Sequence, residues 1–391
     1  MESPARRYNS PMDIAPCKPA VWVNTSQGLT EAFQALESQP RIAVDTESNS
    51  LFSYQEKVCL IQISSPDTDY VIDPFEFTDL SMLGRLFENP KQEKIFHASE
   101  YDLICLKRDY HFTFVNIFDT MIAARILGAA QVGLGSLLQK YFDVTLDKKY
   151  QRANWGLRPL PPEMLDYARF DTYYLFKLRD ILEAELTAHD LFDLAQEDFI
   201  NACNAEAHPN GNGQGEYWKL AGSSHTDTRQ VTILKELCAY RDEQAKKADL
   251  PHFKILSNEM LVEISLQRPT TLDELSLVPH FSEKLVKRHG NALLKAVAKG
   301  ETAPLVTRMK NPRPDDAFLA RIDCLKEWRK NTAKKLEVES DVVLPREMLE
   351  KIASANPATK PELKNVMANS PIRYQKFGAL ILKELKKTET A

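Results

Sequence analysis

An α/β domain followed by an all-α half, itself two copies of one helical module, is the architecture this sequence predicts. Three observations predict it. Strand-like and helix-like runs alternate up to about residue 207, β-like runs then nearly vanish, and the second half matches itself at a constant offset of 88 residues.

The alternation is read in chain order. Arg41–Val44, Val58–Ser64 and Tyr70–Ile72 are runs of aliphatic and β-branched residues that predict strands, while Leu80–Phe87 and Glu100–Lys107 carry helical spacing. Gly211, Gly213 and Gly215 fall within five positions, a backbone too flexible for the inside of an element, and the main boundary is set there.

Beyond it the repeat emerges. At the offset of 88, Leu237 falls on Leu325, Tyr240 on Trp328, Arg241 on Arg329, Lys246-Lys247 on Lys334-Lys335, Glu259-Met260-Leu261 on Glu347-Met348-Leu349, and Gly290 on Gly378. Tyr240 and Trp328 share one repeat position, which favours a core role over an exposed stacking one. The expected division is a disordered tail over 1–18, an α/β domain over 19–207, a linker over 208–225, and helical modules over 226–304 and 313–391.

Composition excludes several classes. In 391 residues with 43% hydrophobic and 27% charged side chains, no apolar run approaches the roughly 20 residues of a membrane span. A secretory leader is not read at the N-terminus, so a soluble, cytoplasmic protein is expected, and a monomer is expected as well. Six scattered cysteines, without a Cys-x-x-Cys pair, argue against a zinc knuckle or a disulfide framework. Charge is divided unevenly. Residues 1–225 carry 20 Lys+Arg against 32 Asp+Glu, and residues 226–391 carry 30 against 23. An acidic half joined to a basic half suits a cation-holding carboxylate site attached to a polyanion grip.

Three sequence elements carry candidate chemistry. Arg41–Val44 runs into Asp45-Thr46-Glu47, and strand alternation puts Asp45 and Glu47 on one face, about 7 Å apart along the backbone. Like charges so placed repel unless a cation lies between them, and hard oxygen donors suit magnesium or manganese. Taken alone, such a pair favours a solvent-facing strand end over a metal site. Tyr167 and Asp171, at i and i+4 after Pro161-Pro162, share a helix face. In Phe96-His97-Ala98-Ser99-Glu100-Tyr101-Asp102 a short strand gives way to a helix with Asp102 in its first turn, where an acid also complements the helix dipole. Asp119, before Thr120, reads as a helix N-cap rather than a further ligand.

Together these elements resemble the DEDD exonuclease superfamily, and within it the ribonuclease D family and the related nuclear-exosome exonuclease. The resemblance rests on Val44-Asp45-Thr46-Glu47, Phe96-His97-Ala98 through Asp102-Leu103, and Tyr167-Ala168-Arg169-Phe170-Asp171, and extends to Leu146-Asp147-Lys148 and Trp155 through Leu160. The two basic repeats look like HRDC modules. What this implies is a ribonuclease H-like mixed sheet flanked by helices, followed by two all-α HRDC-like domains. It also implies a 3′-to-5′ exoribonuclease of the tyrosine subclass, using two divalent ions, Mg2+ or Mn2+, and releasing nucleoside 5′-monophosphates.

Carried over residue by residue, the resemblance makes Asp45, Glu47, Asp102 and Asp171 the metal ligands, with Tyr167 aiming the attacking water. Lys148, Gln151, Arg152 and His97 become candidate substrate contacts, and RNA, in particular transfer-RNA precursors and other structured 3′ ends, the implied partner. Ser48 and Cys105 depart from the histidine and tryptophan of the exosome enzyme. A 3′-to-5′ DNA exonuclease and a non-catalytic RNA-binding adaptor are the alternatives.

Overall fold

A computed structural model of the chain describes residues 18–206, 216–222, 227–307 and 315–389. The expected tail, apart from residue 18, and the glycine-rich stretch 208–215 lie outside the described residues, as does Cys17.

Six strands build one mixed sheet: β1 (Val21–Val23), β2 (Arg41–Ser48), β3 (Val58–Ser64), β4 (Asp69–Ile72), β5 (Glu93–Phe96) and β6 (Ile117–Asp119), in the spatial order β1-β4-β3-β2-β5-β6. At its centre β2 pairs antiparallel with β3 and parallel with β5. All seven residues of β3 are buried, as a strand covered on both faces requires. Helices α1 (Ser26–Glu37), α2 (Ser81–Phe87) and α3 (Glu100–Tyr110) bury Phe33, Leu36, Leu83, Leu103 and Leu106 in one core with Val44, Ile61 and Ile63. Then come α4 (Thr120–Ile126), α5 (Leu134–Phe142), α6 (Pro162–Tyr173), α7 (Leu175–Ala188) and α8 (Phe192–Cys203). Met164 and Ala168 of α6 cover the opposite sheet face, against Leu60 and Val71.

The expected linker contains one further helix, α9 (Glu216–Ala221). Tyr217, Leu220 and Ala221 give it an apolar side at helical spacing, which packs on the first module and holds this part of the linker in place.

The first module comprises α10 (Thr228–Ala248), α11 (His252–Ile255), α12 (Asn258–Gln267), α13 (Leu272–Ser276) and α14 (Glu283–Thr302). The second comprises α15 (Asp316–Leu336), α16 (Ser340–Val343), α17 (Arg346–Ala355), α18 (Lys360–Val366) and α19 (Pro371–Glu389). All five helices start 88 residues after their counterparts. The repeat extends to individual hydrogen bonds: Arg241 Nη1 donates to the Leu256 carbonyl at 3.1 Å, and Arg329 Nη1 donates to that of Leu344 at 3.0 Å. Trp328 is buried, while Tyr240 is half-buried with its hydroxyl 2.8 Å from His289 Nδ1.

The two modules dock differently. The second shares one continuous apolar core with the α/β domain. The first has its own core, against which the α/β domain packs Tyr54. The Tyr54 hydroxyl donates to Asp242 at 2.8 Å, and Lys254 Nζ lies 4.0 Å from the centre of the Phe52 ring. Both contacts arise from the loop between β2 and β3, the loop that directly follows the acids of β2. Among the described residues no helix is long and apolar enough to cross a membrane. No disulfide forms among the described residues, and of the five described cysteines all except Cys324 are buried.

Candidate active site

β2 begins as a core strand, with Ile42, Ala43 and Val44 fully buried, and continues to the edge of that core with Asp45, Thr46, Glu47 and Ser48 half-buried. The pleat turns Asp45 and Glu47 to the side covered by α6. Pairing with β3 shifts register between Glu47 and Ser48, a bulge that ends the regular ladder directly after the second acid. On α6, which starts from Pro162 at a position that needs no amide donor, Asp171 comes over the same edge. Asp45, Glu47 and Asp171 each present a carboxylate oxygen, and the three oxygens lie within 4.8 Å of one another.

Asp102, in the first turn of α3, is buried beside the cluster, near enough to raise the pKa of Asp45 and Glu47 but outside the group of three oxygens within 4.8 Å. It accepts a hydrogen bond from the Thr46 hydroxyl. Thr46 is thus the side chain on the other face of β2 that fixes the fourth acid. The alternation of β2 was legible in the sequence; the partner of Thr46 was not.

None of the four carboxylates forms an ion pair with a lysine or arginine among the described residues. No described lysine or arginine therefore compensates their charge. Burial, then repulsion from Asp171 and Asp102, pushes Glu47 up to about 9. Burial pushes Asp171 and Asp102 up to about 7. Asp45 is raised well above the carboxylate range by burial and then by Asp102, Asp171 and Glu47. Carboxylates packed this closely either hold protons or share a cation. An all-oxygen, multiply charged donor set at this spacing fits hard divalent ions.

Tyr167 is half-buried, its ring centre 6.1 Å from that of Trp155 and 5.8 Å from that of Tyr150. Burial, Asp171, Glu47 and Asp45 all raise its pKa, so the hydroxyl stays protonated and serves as a neutral hydrogen-bonding group beside the acids. Through Tyr150 the loop carrying Lys148, Gln151 and Arg152 is tied to the same place. Those three side chains are exposed, and the Gln151 amide donates to the Lys148 carbonyl in a turn. The sequence reading missed Tyr150 as the link, though it lies between the residues it named.

His97 turns inward, its Nδ1 lying 2.9 Å from the Thr120 hydroxyl, and burial lowers its pKa. Asp119 is buried and accepts four backbone N–H groups, from Ala98, Ser99, Met121 and Ile122. It caps α4 and also fixes the turn that launches α3. Ala98 in that turn is left-handed, at φ 62°.

Comparison with known proteins decides what this arrangement is. Residues 20–187 match the 3′–5′ exonuclease family, and residues 230–297 and 318–385 each match the HRDC domain. Residues 20–187 are thus a domain of the 3′–5′ exonuclease family, followed by two HRDC domains. The chain is 34% identical over 292 residues to the exosome complex component 10 homolog of Caenorhabditis elegans, covering 73% of this chain and 33% of that protein. It is 29% identical over 322 residues to exosome complex component 10 of Homo sapiens, covering 78% and 35%. The chain thus spans about a third of the length of the curated relatives it matches.

Among solved structures, the catalytic core of RRP6 from Trypanosoma brucei aligns with a TM-score of 0.65 and 26% identity, covering 74% of this chain and 81% of that one. Escherichia coli RNase D, an exoribonuclease involved in structured RNA processing, aligns with a TM-score of 0.70 over 95% of this chain and 99% of that one, at 22% identity, a likeness of fold. The mixed sheet of this chain is accordingly the ribonuclease H-like one.

Proposed function

We propose that this chain is a divalent-metal-dependent 3′-to-5′ exoribonuclease that hydrolyses the 3′-terminal phosphodiester of RNA and releases nucleoside 5′-monophosphates. The observation that carries this reading is the convergence of Asp45, Glu47 and Asp171 within 4.8 Å, with Asp102 beside them. Two divalent ions, Mg2+ or Mn2+, would be held by these four carboxylates and would supply water activation and charge stabilisation on the attacking and leaving oxygens.

The protein's own groups do the rest. Asp45, flanked by the other three, is the carboxylate best placed to be shared. Thr46 holds Asp102 toward the cluster. Tyr167, protonated and braced by Trp155 and Tyr150, orients the attacking water by hydrogen bonding. Lys148, Gln151 and Arg152, on the loop packed against it, are assigned to the terminal nucleotide.

Structured RNA, such as transfer-RNA precursors, is the proposed substrate class. The excess of basic residues in 226–391 supports it, because sequence-independent phosphate contacts suit an enzyme that grips a folded body and trims its end. The test is degradation of a labelled structured RNA and of a matched DNA by wild type and by Asp45→Asn, with Mg2+ or Mn2+. Loss of RNA decay in the variant is expected. Equal decay by both proteins would remove the proposed site, and decay of DNA alone would replace the substrate.

A further inference from the structure

Gln62 lies in the middle of β3 and is 1% exposed, yet among the described residues neither its side-chain Nε2 nor its Oε1 has a hydrogen-bond partner. Leaving a buried polar group unmatched costs about 1–3 kcal/mol. Such a group calls for an explanation, one of which is a functional state that satisfies it.

The register says what that state involves. Gln62 stands directly opposite Asp45 in the antiparallel ladder. Residues so paired point to the same face with Cβ atoms about 5 Å apart. The neighbours of Gln62 on that face confirm the direction. Leu60, opposite Glu47, packs in one cluster with Ala168 of α6. Ser64 Oγ lies 2.7 Å from the hydroxyl of Thr172, the residue after Asp171. The unmatched amide is thus enclosed between Asp45 and the stretch of α6 that carries Tyr167 and Asp171.

We propose that Gln62 is a positioning residue for the carboxylate site: its Nε2 donates to Asp45 when that carboxylate holds divalent ions, and so fixes the orientation in which it binds them. A primary amide suits this task for a reason of charge. It supplies N–H donors to an anion without the positive charge with which a lysine or arginine would repel the cations. Groups that orient a ligand in this way change metal affinity about 10–100-fold when removed. This inference rests on the proposed metal-dependent function.

The test is Mn2+ binding by titration calorimetry to the full chain, with the metal-free melting temperature measured alongside, for wild type, Asp45→Asn, Gln62→Met and Gln62→Leu. Both Gln62 variants are expected to bind Mn2+ about tenfold or more weakly. Their metal-free melting temperatures should equal or exceed that of wild type, because an unmatched polar group has been replaced by an apolar one. A structural role would give the opposite pattern. Affinity within about twofold of wild type, or weaker binding accompanied by a lower metal-free melting temperature, would overturn the assignment. Should wild type itself bind no Mn2+, or bind it as well as Asp45→Asn does, the metal-site reading would fail first and take this inference with it.

Discussion

Arg373 of the second HRDC domain is fully buried against Glu197 of the exonuclease domain, Nη1 to Oε1 at 2.7 Å. Asp198 takes both Nη atoms, at 2.7 and 3.1 Å, and the Val342 carbonyl takes Nε and Nη2. The other Glu197 oxygen accepts the backbone N–H groups of Ile372 and Arg373 at the start of α19. All three guanidinium nitrogens of Arg373 and both carboxylate oxygens of Glu197 are matched. Removing one member of such a pair strands a buried charge, which costs about 3–5 kcal/mol. Arg373→Ala is expected to lower the unfolding free energy by that amount in chemical denaturation, and truncation before Asp315 to destabilise the exonuclease domain rather than free it. An Arg373→Ala variant as stable as wild type would show that the domains are only loosely joined.

The acid cluster sets a pH dependence that divalent ions should abolish. Folded and metal-free, Glu47 titrates near 9 and Asp102 and Asp171 near 7. Unfolded, such groups lose their protons at about pH 4. Across that interval the folded state binds more protons, so stability is greatest at the acid end and falls as pH rises through 7 towards 9. Melting temperatures in a chelator should drop by several degrees over this range. Added Mn2+ should restore them most at the alkaline end, where the carboxylates are free to bind. A chelated protein whose melting temperature is flat from pH 5 to pH 9, at about constant ionic strength, would contradict the clustering.

Local patterns of the sequence carried much of this. The parity of Asp45 and Glu47 follows from the strand period, and a repeat offset of 88 residues placed equivalent helices before any were seen. Docking was not legible, because it depends on where a side chain's partner lies in space. Position 373 is arginine where the first module has Leu285, which packs at the edge of that module's own core. That divergence between repeats is one trace in the sequence of their different attachment, as are Asp242 and Lys254 where the second module has Lys330 and Val342. The inward turn of Asp102 was equally hidden, since it depends on Thr46 and on a left-handed Ala98 held by a residue 21 positions away. Lys148, Gln151 and Arg152 are exposed, so neither sequence nor packing dictates where they point.

Asp119 links that turn to stability. Its carboxylate serves Ala98 and Ser99 ahead of α3 and Met121 and Ile122 at the head of α4. Asp119→Ala would leave four amides without this acceptor and release the turn that aims Asp102. The expected loss is about 3 kcal/mol or more, with weakened metal binding, read by denaturation and calorimetry. Asp119→Asn keeps one acceptor oxygen and should fall between. Unchanged metal affinity in an Asp119→Ala protein that remains folded would separate the turn from the site.

Tyr167→Phe isolates the hydroxyl from the ring. Packing against Trp155 and Tyr150 is kept, and the four carboxylates are untouched. Metal affinity should therefore stay at its wild-type value. What is lost is a neutral hydrogen bond that orients water, an effect on kcat of about 10²-fold rather than the abolition expected of Asp45→Asn or Asp171→Asn. KM should change little, because the hydroxyl acts on the attacking water and not on the nucleotide. Since the tyrosine keeps its proton well above neutral pH, the residual activity should follow the same pH profile as wild type between pH 6 and 9, roughly the span over which the carboxylates titrate. A Tyr167→Phe enzyme with full kcat would exclude the orienting role, and one with an altered alkaline limb would make the tyrosine a proton-transfer group instead.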